Sequence, residues 1–506
     1  MGKTIIVSNR LPLQLSLRNE EIEVEQSVGG LATGLKSIHD EGNSIWIGWS
    51  GITEEELNPE LSQKINKELR AAKCDAVHLN QDEIDKFYLG FSNKSLWPLF
   101  HYFMEYAEFD SSEWEAYKAV NQKFADKVLE KVEDGDRIWI HDYQLLLVPK
   151  MIRDKNPDVA IGFFLHIPFP SYEIFRTFPW REELLKGILG ADLIGFHTYD
   201  YERHFMSSVK RILNLEVKYS AIKYRDKTVR VSSFPMGIDF DKFYNAALRH
   251  KNQDFGNKSS MLKRLEDHIE TSEEAQLIIS IDRMDYTKGI PNRIKAFEHF
   301  LNKYPQFKEK VHLIMLTVPS RSNVPQYQLL KRETDELVGQ INGKFSTVNW
   351  TPIWYFYRSM PFENLIDLYV SSDVALINPL RDGMNLVAKE FVASRVNQDG
   401  VLVLSEMAGA AKEMSEALLI NPSNFEQIAD TLKLALEMPV EEQKSRMNIL
   451  QKRLKFHSVE KWAEDFLIAL DDTRNKNSLF EYAPDKKNIT AKTSGNGAYK
   501  KTSFAE

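Results

Sequence analysis

Two cations on one predicted strand-to-helix connection are the first residues that could do chemistry. The segment ISIDRMDYTKGIPN holds Arg283 and Lys288 five residues apart, and Gly289 allows the backbone to turn tightly. Arginine offers a planar fork of donors and lysine a point charge, so the pair could hold a diphosphate. The alternative is a pair of solvated loop cations, which are common on protein surfaces.

A second connection, RDGMNLVAKE, carries polar residues where another predicted helix begins. It follows the apolar run DVALINP and includes Asp382, Gly383 and Asn385, and a helix N-terminus presents free N–H groups to an anion. If the helix starts near Asn385, Leu386 and Glu390 share one face. An apolar residue beside a carboxylate suits a nucleoside, because the carboxylate can accept hydrogen bonds from the ribose hydroxyls. The alternative is a core leucine and a surface glutamate. Two such loops in one domain favour a nucleoside-diphosphate site.

The first half of the chain adds candidates at the ends of other predicted strands. Arg10 ends the first strand and Asp142 ends a later one, while Arg321 lies beyond a strand of the second half. Open α/β sheets bind ligands in the crevice at the carboxyl ends of their strands. Tyr88 and Trp97 belong to the aromatic segment FYLGFSNKSLWPLFHYF, which is typical of a core but could also stack on a sugar or bond a phosphate.

Metal and dinucleotide sites are poorly supported. SVGGLATGL places Gly29 and Gly30 in a turn before a helix but does not fit the GxGxxG pattern of dinucleotide-binding folds. His166 ends another strand, and with His141 and His197 it could suggest a metal, but the three lack the local spacing of a zinc site. A single cysteine excludes a multi-cysteine metal site. We therefore expect no metal and no cofactor.

Length and composition bound the fold and the partners. A chain of 506 residues is too long for one hydrophobic core, which favours two large domains. The 43% hydrophobic and 27% charged residues are typical of a globular protein, and a net charge of −8 argues against a nucleic-acid partner. No apolar run reaches the roughly 20 residues that span a bilayer, and the N-terminus lacks a signal-peptide pattern. We expect a cytoplasmic protein without a membrane partner.

The elements that must position these residues alternate along the chain. Short, near-continuous apolar runs are typical of parallel strands buried on both faces, and amphipathic segments separate them. This alternation predicts an α/β fold with parallel sheets. In PNRIKAFEHFLNKY, Pro291 suits a first helical turn, and Ile294, Phe297 and Leu301 share one stripe. The predicted strands are residues 4–9, 44–49, 137–142, 160–167, 191–197, 275–282, 311–318, 373–379 and 400–405.

A polar, highly charged region over residues 248–274 marks the best domain boundary, because it has little strand content. We predict a first domain over residues 1–243 and a second over 244–455, followed by a helix over 456–478. Residues 479–506 are rich in Lys, Ser, Thr, Asn and Gly without periodicity. That composition predicts a disordered tail or a linker.

Taken together, the motifs resemble those of the trehalose-6-phosphate synthase family. SVGGLATGL, FSNKSLWPLFHY, IWIHDY, FFLHIPFPSYEIF, DRMDYTKG, VPSR, INGKF, PLRDGMNLVAKE and VLVLSEMAGAA occur in family order, and the resemblance runs to about residue 470. It implies the GT-B architecture of a retaining glycosyltransferase, in which two Rossmann-like domains face across a cleft and the C-terminal helix crosses back to the first. Gln144 replaces a common family histidine, and Ser322 and Asn323 replace a frequent Gly-Asp pair.

The resemblance also implies roles for the motif residues. The loop around Asp382 would hold the glucose hydroxyls of the donor, Glu390 would bind the ribose, and Gly29 and Gly30 would close over the donor. The implied catalytic residues are Arg283, Lys288, Asp142 and His166. The implied donor-binding residues are Gly29, Gly30, His166, Arg283, Lys288, Asp382, Gly383, Met384, Asn385, Leu386, Val387 and Glu390. The implied acceptor-binding residues are Arg10, Tyr88, Trp97, Asp142 and Arg321.

The reaction that the resemblance implies is transfer of glucose from UDP-glucose to glucose 6-phosphate, giving trehalose 6-phosphate and UDP with retention. Retention by double displacement needs two carboxylates about 5 Å apart. No second carboxylate is evident in the sequence beside Asp142, so a front-face substitution is favoured, with the departing phosphate taking the acceptor proton.

Several alternatives stay open at this point. The same donor chemistry could serve another phosphorylated acceptor such as glycerol 3-phosphate, or the chain could be a catalytically idle regulator that binds sugar phosphates. A glycosidase is a weaker alternative, because the diphosphate-binding cations would then have no purpose. The sequence leaves open the choice among UDP, ADP and GDP and whether the chain forms a homo-oligomer. A sugar-phosphate product implies a separate phosphatase as a functional partner.

Overall fold

Two largely parallel sheets organise the protein. The computed structural model describes residues 2–18, 21–26, 34–35, 39, 42–251 and 275–475. The strands are β1 (Thr4–Arg10), β2 (Leu13–Arg18), β3 (Glu21–Gln26), β4 (Ser44–Trp49), β5 (Cys74–Ala76), β6 (Arg137–His141), β7 (Ala160–Leu165), β8 (Leu193–Phe196), β9 (Val217–Lys218), β10 (Ala221–Tyr224), β11 (Lys227–Ser233), β12 (Gln276–Arg283), β13 (Val311–Val318), β14 (Ile353–Tyr357), β15 (Val374–Ile377), β16 (Val401–Ser405) and β17 (Leu418–Ile420).

Helices connect most of these strands. The α-helices are α1 (Pro59–Ala71), α2 (Gln81–Glu83), α3 (Trp97–Phe100), α4 (Ser111–Leu129), α5 (Val148–Arg153), α6 (Tyr172–Phe175), α7 (Arg181–Ile188), α8 (Tyr199–Ile212), α9 (Phe240–Lys251), α10 (Ile290–Lys303), α11 (Pro325–Phe345), α12 (Phe362–Ser371), α13 (Leu386–Ser394), α14 (Phe425–Leu436), α15 (Val440–Phe456) and α16 (Val459–Asn475). A π-helix (Ile84–Leu96) joins α2 to α3. Short 3₁₀ turns cover Glu54–Glu56, Met104–Tyr106, Tyr143–Leu145, Tyr286–Lys288, Pro305–Phe307 and Gly409–Lys412.

The first sheet has the strand order β5-β4-β1-β6-β7-β8-β11-β10-β9 and the second has β14-β13-β12-β15-β16-β17. The second sheet is entirely parallel, and in the first sheet only β9, β10 and β11 pair in antiparallel fashion. A separate antiparallel hairpin joins β2 to β3. Parallel sheets with helical crossovers are the α/β fold that the sequence predicts.

All nine predicted strands are confirmed, with their ends shifted by up to two residues. β1 and β12 each bury six consecutive residues and then end in an exposed arginine, Arg10 and Arg283. This is the burial that a central parallel strand with a functional carboxyl end requires. Strands β5, β9, β11 and β17 were not predicted. β11 is only partly buried and lacks a continuous apolar run, and the other three are too short to show one.

Two helix predictions are also confirmed. In α10, Pro291 lies in the first turn, and Ile294, Phe297 and Leu301 are all buried. α13 begins at Leu386, and the Asn385 side chain caps it by accepting a hydrogen bond from the backbone N–H of Ala388 at 3.1 Å.

The C-terminal helix α16 packs on β7 and β8 of the first sheet. Its fully buried Phe466 stacks on Trp139 with ring centroids 4.7 Å apart. Gly162 and Gly195 make room for this ring, since a Cβ at either position would lie 2.6 or 2.8 Å from a Phe466 ring atom. The predicted helix that crosses back to the first sheet is therefore confirmed.

Helix α9 follows the last strand of the first sheet but packs on α12 and α13 of the second half. Close by, a Cβ at Gly237 would lie 2.0 Å from the carbonyl oxygen of His457, so the two connections between the halves touch. The predicted division at residues 243 and 244 falls inside α9, and the domain limits stay a prediction. Most of the predicted polar boundary and the tail over 479–506 lie outside the described residues.

Within the described ranges, none of the helices combines the length and the apolar character needed to cross a membrane.

We expect Phe466→Ala to lower the free energy of unfolding by about 3–5 kcal/mol, because it empties a site enclosed by ring atoms and two glycines. Ile468→Ala is the matched control, since Ile468 lies on the same helix and is 54% exposed; its effect should stay within about 0.5 kcal/mol. Urea unfolding of both variants measures the difference. Equal shifts in the two would contradict the packing of α16 on the first sheet.

Candidate active site

The loop after β12 carries the two predicted diphosphate cations. Arg283 is the last residue of β12, and Lys288 ends the short 3₁₀ turn that follows. Gly289 has a φ of 65°, and a Cβ there would lie 2.5 Å from the carbonyl oxygen of Asn378, so the turn requires glycine. The loop thereby presents both cations at the carboxyl edge of the second sheet.

Asp382, from the loop after β15, faces Lys288. Its Oδ2 lies 2.5 Å from the ammonium of Lys288 and accepts a hydrogen bond from the Asn385 side chain at 3.1 Å. Its carbonyl oxygen accepts one from the hydroxyl of Tyr201 at 3.2 Å. Burial alone would raise the pKa of Asp382, but the attraction of Lys288 outweighs it and holds the pKa below its usual value. The loop is thus anchored from both halves of the molecule.

Gly383 brings the same loop against the first sheet. A Cβ at this position would lie 2.2 Å from the carbonyl oxygen of His166, which follows β7. The backbone N–H of His166 in turn donates to Asp142 Oδ1 at 3.2 Å. Residues predicted for the donor sugar therefore meet where the carboxyl ends of the two sheets approach each other.

Asp142 follows β6, with a shifted pKa and a left-handed backbone conformation. The residue is half-buried, but its surroundings shield the carboxyl from bulk water, and this desolvation raises its pKa to about 6. Hydrogen bonds from the backbone and the charges of Arg283 and Arg321 limit the rise. Asp142, Arg321 and Asn385 have φ angles of 75°, 47° and 78°. Left-handed backbone at non-glycine residues is costly and is often found at functional sites.

Three arginines surround the half-buried Tyr88. Burial would raise the pKa of its hydroxyl, but the charges of Arg321, Arg10 and Arg283 lower it below its usual value. The guanidinium carbon of Arg10 lies 5.8 Å from the centroid of the Tyr88 ring and 4.4 Å from that of Trp49. Arg10 and Tyr88 come from the first half of the chain and the other two arginines from the second, so the cluster spans the cleft.

Trp97 lies under two of these cations. The guanidinium carbon of Arg321 is 4.1 Å from the centroid of its ring and that of Arg283 is 5.7 Å away, distances at which cation–π attraction operates. Arg321 also donates to the hydroxyl of Tyr143 at 3.1 Å. The indole N–H of Trp97 is buried and has no partner among the described residues, which leaves a donor available to a ligand.

Glu390 lies one turn into α13. Its Oε2 accepts a hydrogen bond from the hydroxyl of Tyr369 at 2.8 Å, and burial raises the pKa of its carboxyl. Leu386 and Val387 are half-buried on the first turn of the same helix, and Met384 is buried beside them. The predicted ribose ligand and its apolar neighbours therefore lie together at the start of α13.

The three histidines pack together at the ends of β6, β7 and β8, where His141 and His197 are buried and His166 is half-buried. His141 Nδ1 lies 3.1 Å from His166 Nε2, and the ring centroids of His166 and His197 are 5.3 Å apart. Burial lowers the pKa of each imidazole, so all three are neutral at physiological pH. Across the described part of the chain, no set of histidine, cysteine, aspartate or glutamate side chains is arranged to hold a metal ion.

The predicted lid residues Gly29 and Gly30 lie outside the described residues. Conversely, the structure brings in residues that the sequence analysis did not assign. Tyr143 and Asp285 lie inside two of the quoted motifs, IWIHDY and DRMDYTKG, and that position was the available signal. Tyr201 and Tyr327 lie on helices with no comparable signal, and only the tertiary contacts bring them to the site.

Comparison with known proteins decides the family. A family model described as glycosyltransferase family 20 matches residues 2–472. The chain belongs to glycosyltransferase family 20. This membership and the two facing sheets with a returning helix confirm the predicted GT-B architecture and identify the protein as a glycosyltransferase.

Individual relatives align over most of this glycosyltransferase. An alpha,alpha-trehalose-phosphate synthase [UDP-forming] of Candida albicans is 41% identical over 94% of this chain and 99% of the relative. A bifunctional trehalose-6-phosphate synthase/phosphatase of Thermoproteus tenax is 44% identical over 95% of this chain, which spans 65% of that relative. A UDP-forming synthase of Burkholderia xenovorans, solved in complex with glucose-6-phosphate, has a TM-score of 0.82 and 31% identity, covering 93% of this chain and 100% of its own.

The raised pKa of Asp142 predicts a specific pH dependence of stability. Because the folded-state pKa of about 6 exceeds the usual 3.8, the folded protein binds this proton more tightly than the unfolded chain. The stabilisation from Asp142 is therefore fully present below pH 3.8 and is lost as the pH rises to 6. Asp142→Asn keeps an acceptor for the His166 N–H but has no proton to lose.

We expect the melting temperature of Asp142→Asn minus that of the wild type to be larger near pH 8 than near pH 4.5. Thermal unfolding of both proteins across this range measures the difference. A difference that is the same at every pH would show that folding does not raise the pKa of Asp142.

Proposed function

We propose that this family 20 enzyme transfers glucose from UDP-glucose to glucose 6-phosphate, giving trehalose 6-phosphate and UDP with retention of configuration. The observation that carries the proposal is the convergence of Arg10, Arg283 and Arg321 around Tyr88, across the cleft between the two sheets. Two anionic substrates that meet in one cleft are the ligands that such a cluster of cations suits.

Arg283 and Lys288 are the residues that we assign to the donor diphosphate. Lys288 pairs with Asp382, and a bound diphosphate would offer it a second anionic partner. Asp382 could then accept hydrogen bonds from hydroxyls of the donor glucose. Glu390, one turn into α13, would accept hydrogen bonds from those of the ribose. The relatives from Candida albicans and Burkholderia xenovorans are named as UDP-forming synthases, which supports a uridine nucleotide.

Arg10 and Arg321 are the residues that we assign to the phosphate of the acceptor. The hydroxyl of Tyr88, whose pKa the same arginines lower, is a strong donor to a phosphate oxygen. Trp97 has an unpaired indole N–H beside them and completes the proposed acceptor site. That the Burkholderia xenovorans relative was solved with glucose-6-phosphate supports this choice of acceptor.

The proposed mechanism is a front-face substitution. A double displacement would need a free carboxylate nucleophile at the sugar, yet Asp382 is occupied by Lys288 and Asn385. Asp142 alone cannot supply both groups, because a double displacement needs a carboxylate nucleophile and a separate carboxyl acid/base. In the front-face route the bond to the diphosphate breaks first, the acceptor hydroxyl attacks from the same side, and its proton passes to the departing phosphate oxygen.

Stabilisation of the leaving group is the main catalytic task in this route. Charge develops on the diphosphate as the glycosidic bond breaks, and preorganised cations in an enclosed site stabilise it far more than water does. Arg283 and Lys288 would thereby supply what a divalent ion supplies elsewhere. Because the product keeps a phosphate, we propose that a separate phosphatase activity consumes it.

The test of this function is release of UDP from UDP-glucose in the presence of EDTA. We expect turnover with glucose 6-phosphate and none with glycerol 3-phosphate or without an acceptor. Turnover with glycerol 3-phosphate instead would keep the donor assignment and overturn the acceptor. No turnover with any acceptor would favour another nucleotide donor or an idle sugar-phosphate regulator, and turnover abolished by EDTA would contradict a metal-independent mechanism.

We expect Arg283→Ala and Lys288→Ala each to lower kcat by roughly two to three orders of magnitude, as loss of a donor to a developing anion does. Lys295→Ala is the matched control, since Lys295 lies on the helix after the loop, pairs with Glu333 and has a side chain that is 43% exposed. The same assay of UDP release measures all three. Near-normal turnover of either cleft variant would remove that cation from the mechanism.

A further inference from the structure

Asp285 is a fully buried carboxylate to which the proposed mechanism assigns no role. It lies between Arg283 and Lys288 in the loop after β12, and its side chain is completely inaccessible to solvent. A buried charge is tolerated only when partners satisfy it. The identity of those partners shows what this carboxylate connects.

One oxygen of Asp285 holds the turn that carries Lys288. Oδ1 accepts hydrogen bonds from the backbone N–H of Thr287 at 3.0 Å and from its hydroxyl at 2.8 Å. The backbone N–H of Lys288 donates to the carbonyl oxygen of Asp285 at 3.0 Å. These bonds cap the 3₁₀ turn Tyr286–Lys288 and so fix where Lys288 leaves the backbone.

The other oxygen of Asp285 holds the acceptor arginine. Oδ2 lies 3.3 Å from Nη1 of Arg321 and accepts a hydrogen bond from the hydroxyl of Tyr327 at 3.1 Å. Arg321 also donates to that hydroxyl and, through Nη2, to the hydroxyl of Tyr143. With its side chain only 5% exposed, Arg321 needs a counter-charge, and Asp285 is the carboxylate that contacts it.

The charge state of Asp285 agrees with these contacts. Burial opposes ionisation, but the combined charges of Arg321, Arg283 and Lys288 lower the pKa of Asp285 below its usual value. The carboxylate is therefore ionised throughout the physiological range. It contacts one cation directly and lies within the electrostatic reach of the other two.

We propose that Asp285 is a positioning residue that sets the acceptor arginine Arg321 in register with the donor cation Lys288. This inference rests on the proposed function, because it takes Arg321 as the ligand of the acceptor phosphate. One carboxylate then fixes the geometry between donor and acceptor sites through its two oxygens. Front-face substitution depends on that geometry, since the attacking hydroxyl and the departing phosphate must lie on the same side of the sugar.

Asp285→Asn separates the two contacts. The amide oxygen can still accept from Thr287, but the amide nitrogen then faces Arg321 and leaves its charge unpaired. We expect the KM for glucose 6-phosphate to rise by about 10-fold to 100-fold, the range for loss of a buried charged hydrogen bond. The Kd for UDP, measured by calorimetry, should change by less than about threefold, because the turn that carries Lys288 keeps its cap.

Tyr327→Phe is the second variant, and it removes the hydroxyl that joins Asp285 to Arg321 while leaving every charge in place. We expect it to raise the KM for glucose 6-phosphate by about threefold to 10-fold, as for a neutral hydrogen bond, with the Kd for UDP unchanged. Asp373→Asn is the control for general destabilisation. Asp373 accepts the backbone N–H of Leu277 at 2.8 Å, at the opposite end of β12, and should show no selective rise in the acceptor KM.

A selective rise in the acceptor KM for Asp285→Asn and Tyr327→Phe would support the positioning role. Unchanged acceptor KM values, or equal losses of UDP and acceptor binding, would overturn it. If Asp285→Asn does not fold, Tyr327→Phe decides alone. Failure of the proposed function would appear in the wild-type enzyme, as no turnover of glucose 6-phosphate. Failure of this inference alone would appear in the variants, as an acceptor KM equal to that of the wild type.

Discussion

The repulsion among cations gathered in one cleft is the constraint on which the site depends. Arg283 and Arg321 share the face of Trp97, and Arg10 approaches Tyr88 from the other sheet. Like charges in a poorly solvated cleft repel strongly unless counter-charges or π faces compensate. Asp382 and Asp285 supply the counter-charges, and the aromatic rings supply the π faces. Opposite charges and aromatic rings therefore offset part of the repulsion within the cluster.

Close backbone contacts between the halves give this electrostatic arrangement its precision. Gly383 rests against the carbonyl of His166, and Gly237 against that of His457, at distances that any side chain would prevent. The contact at Gly383 places the loop after β15 directly on the end of β7.

The sequence predicted the parts of the fold and site that depend on local patterns. Continuous apolar runs identified the central strands, and Asn385 was recognisable as a helix start because its cap acts within three residues. Trp97 could not be assigned from its neighbours, since an aromatic segment is compatible with a core and with a site. The contacts of Tyr327 and Asp285 with Arg321 could not be predicted from the sequence. They depend on tertiary structure, and Arg321 in turn contacts Tyr143 in the other half of the molecule.

The packing of α16 has a consequence for how the chain emerges from the ribosome. Phe466 covers Trp139 and fills the space beside Gly162 and Gly195, yet it is synthesised about 300 residues after Gly162, some 15–60 s later at ordinary translation rates. The last strand of the first sheet ends at Ser233, and from then until Phe466 is made the region around Trp139, Gly162 and Gly195 lacks this cover. The first half thus cannot complete its core on its own, because the last described helix supplies part of that core.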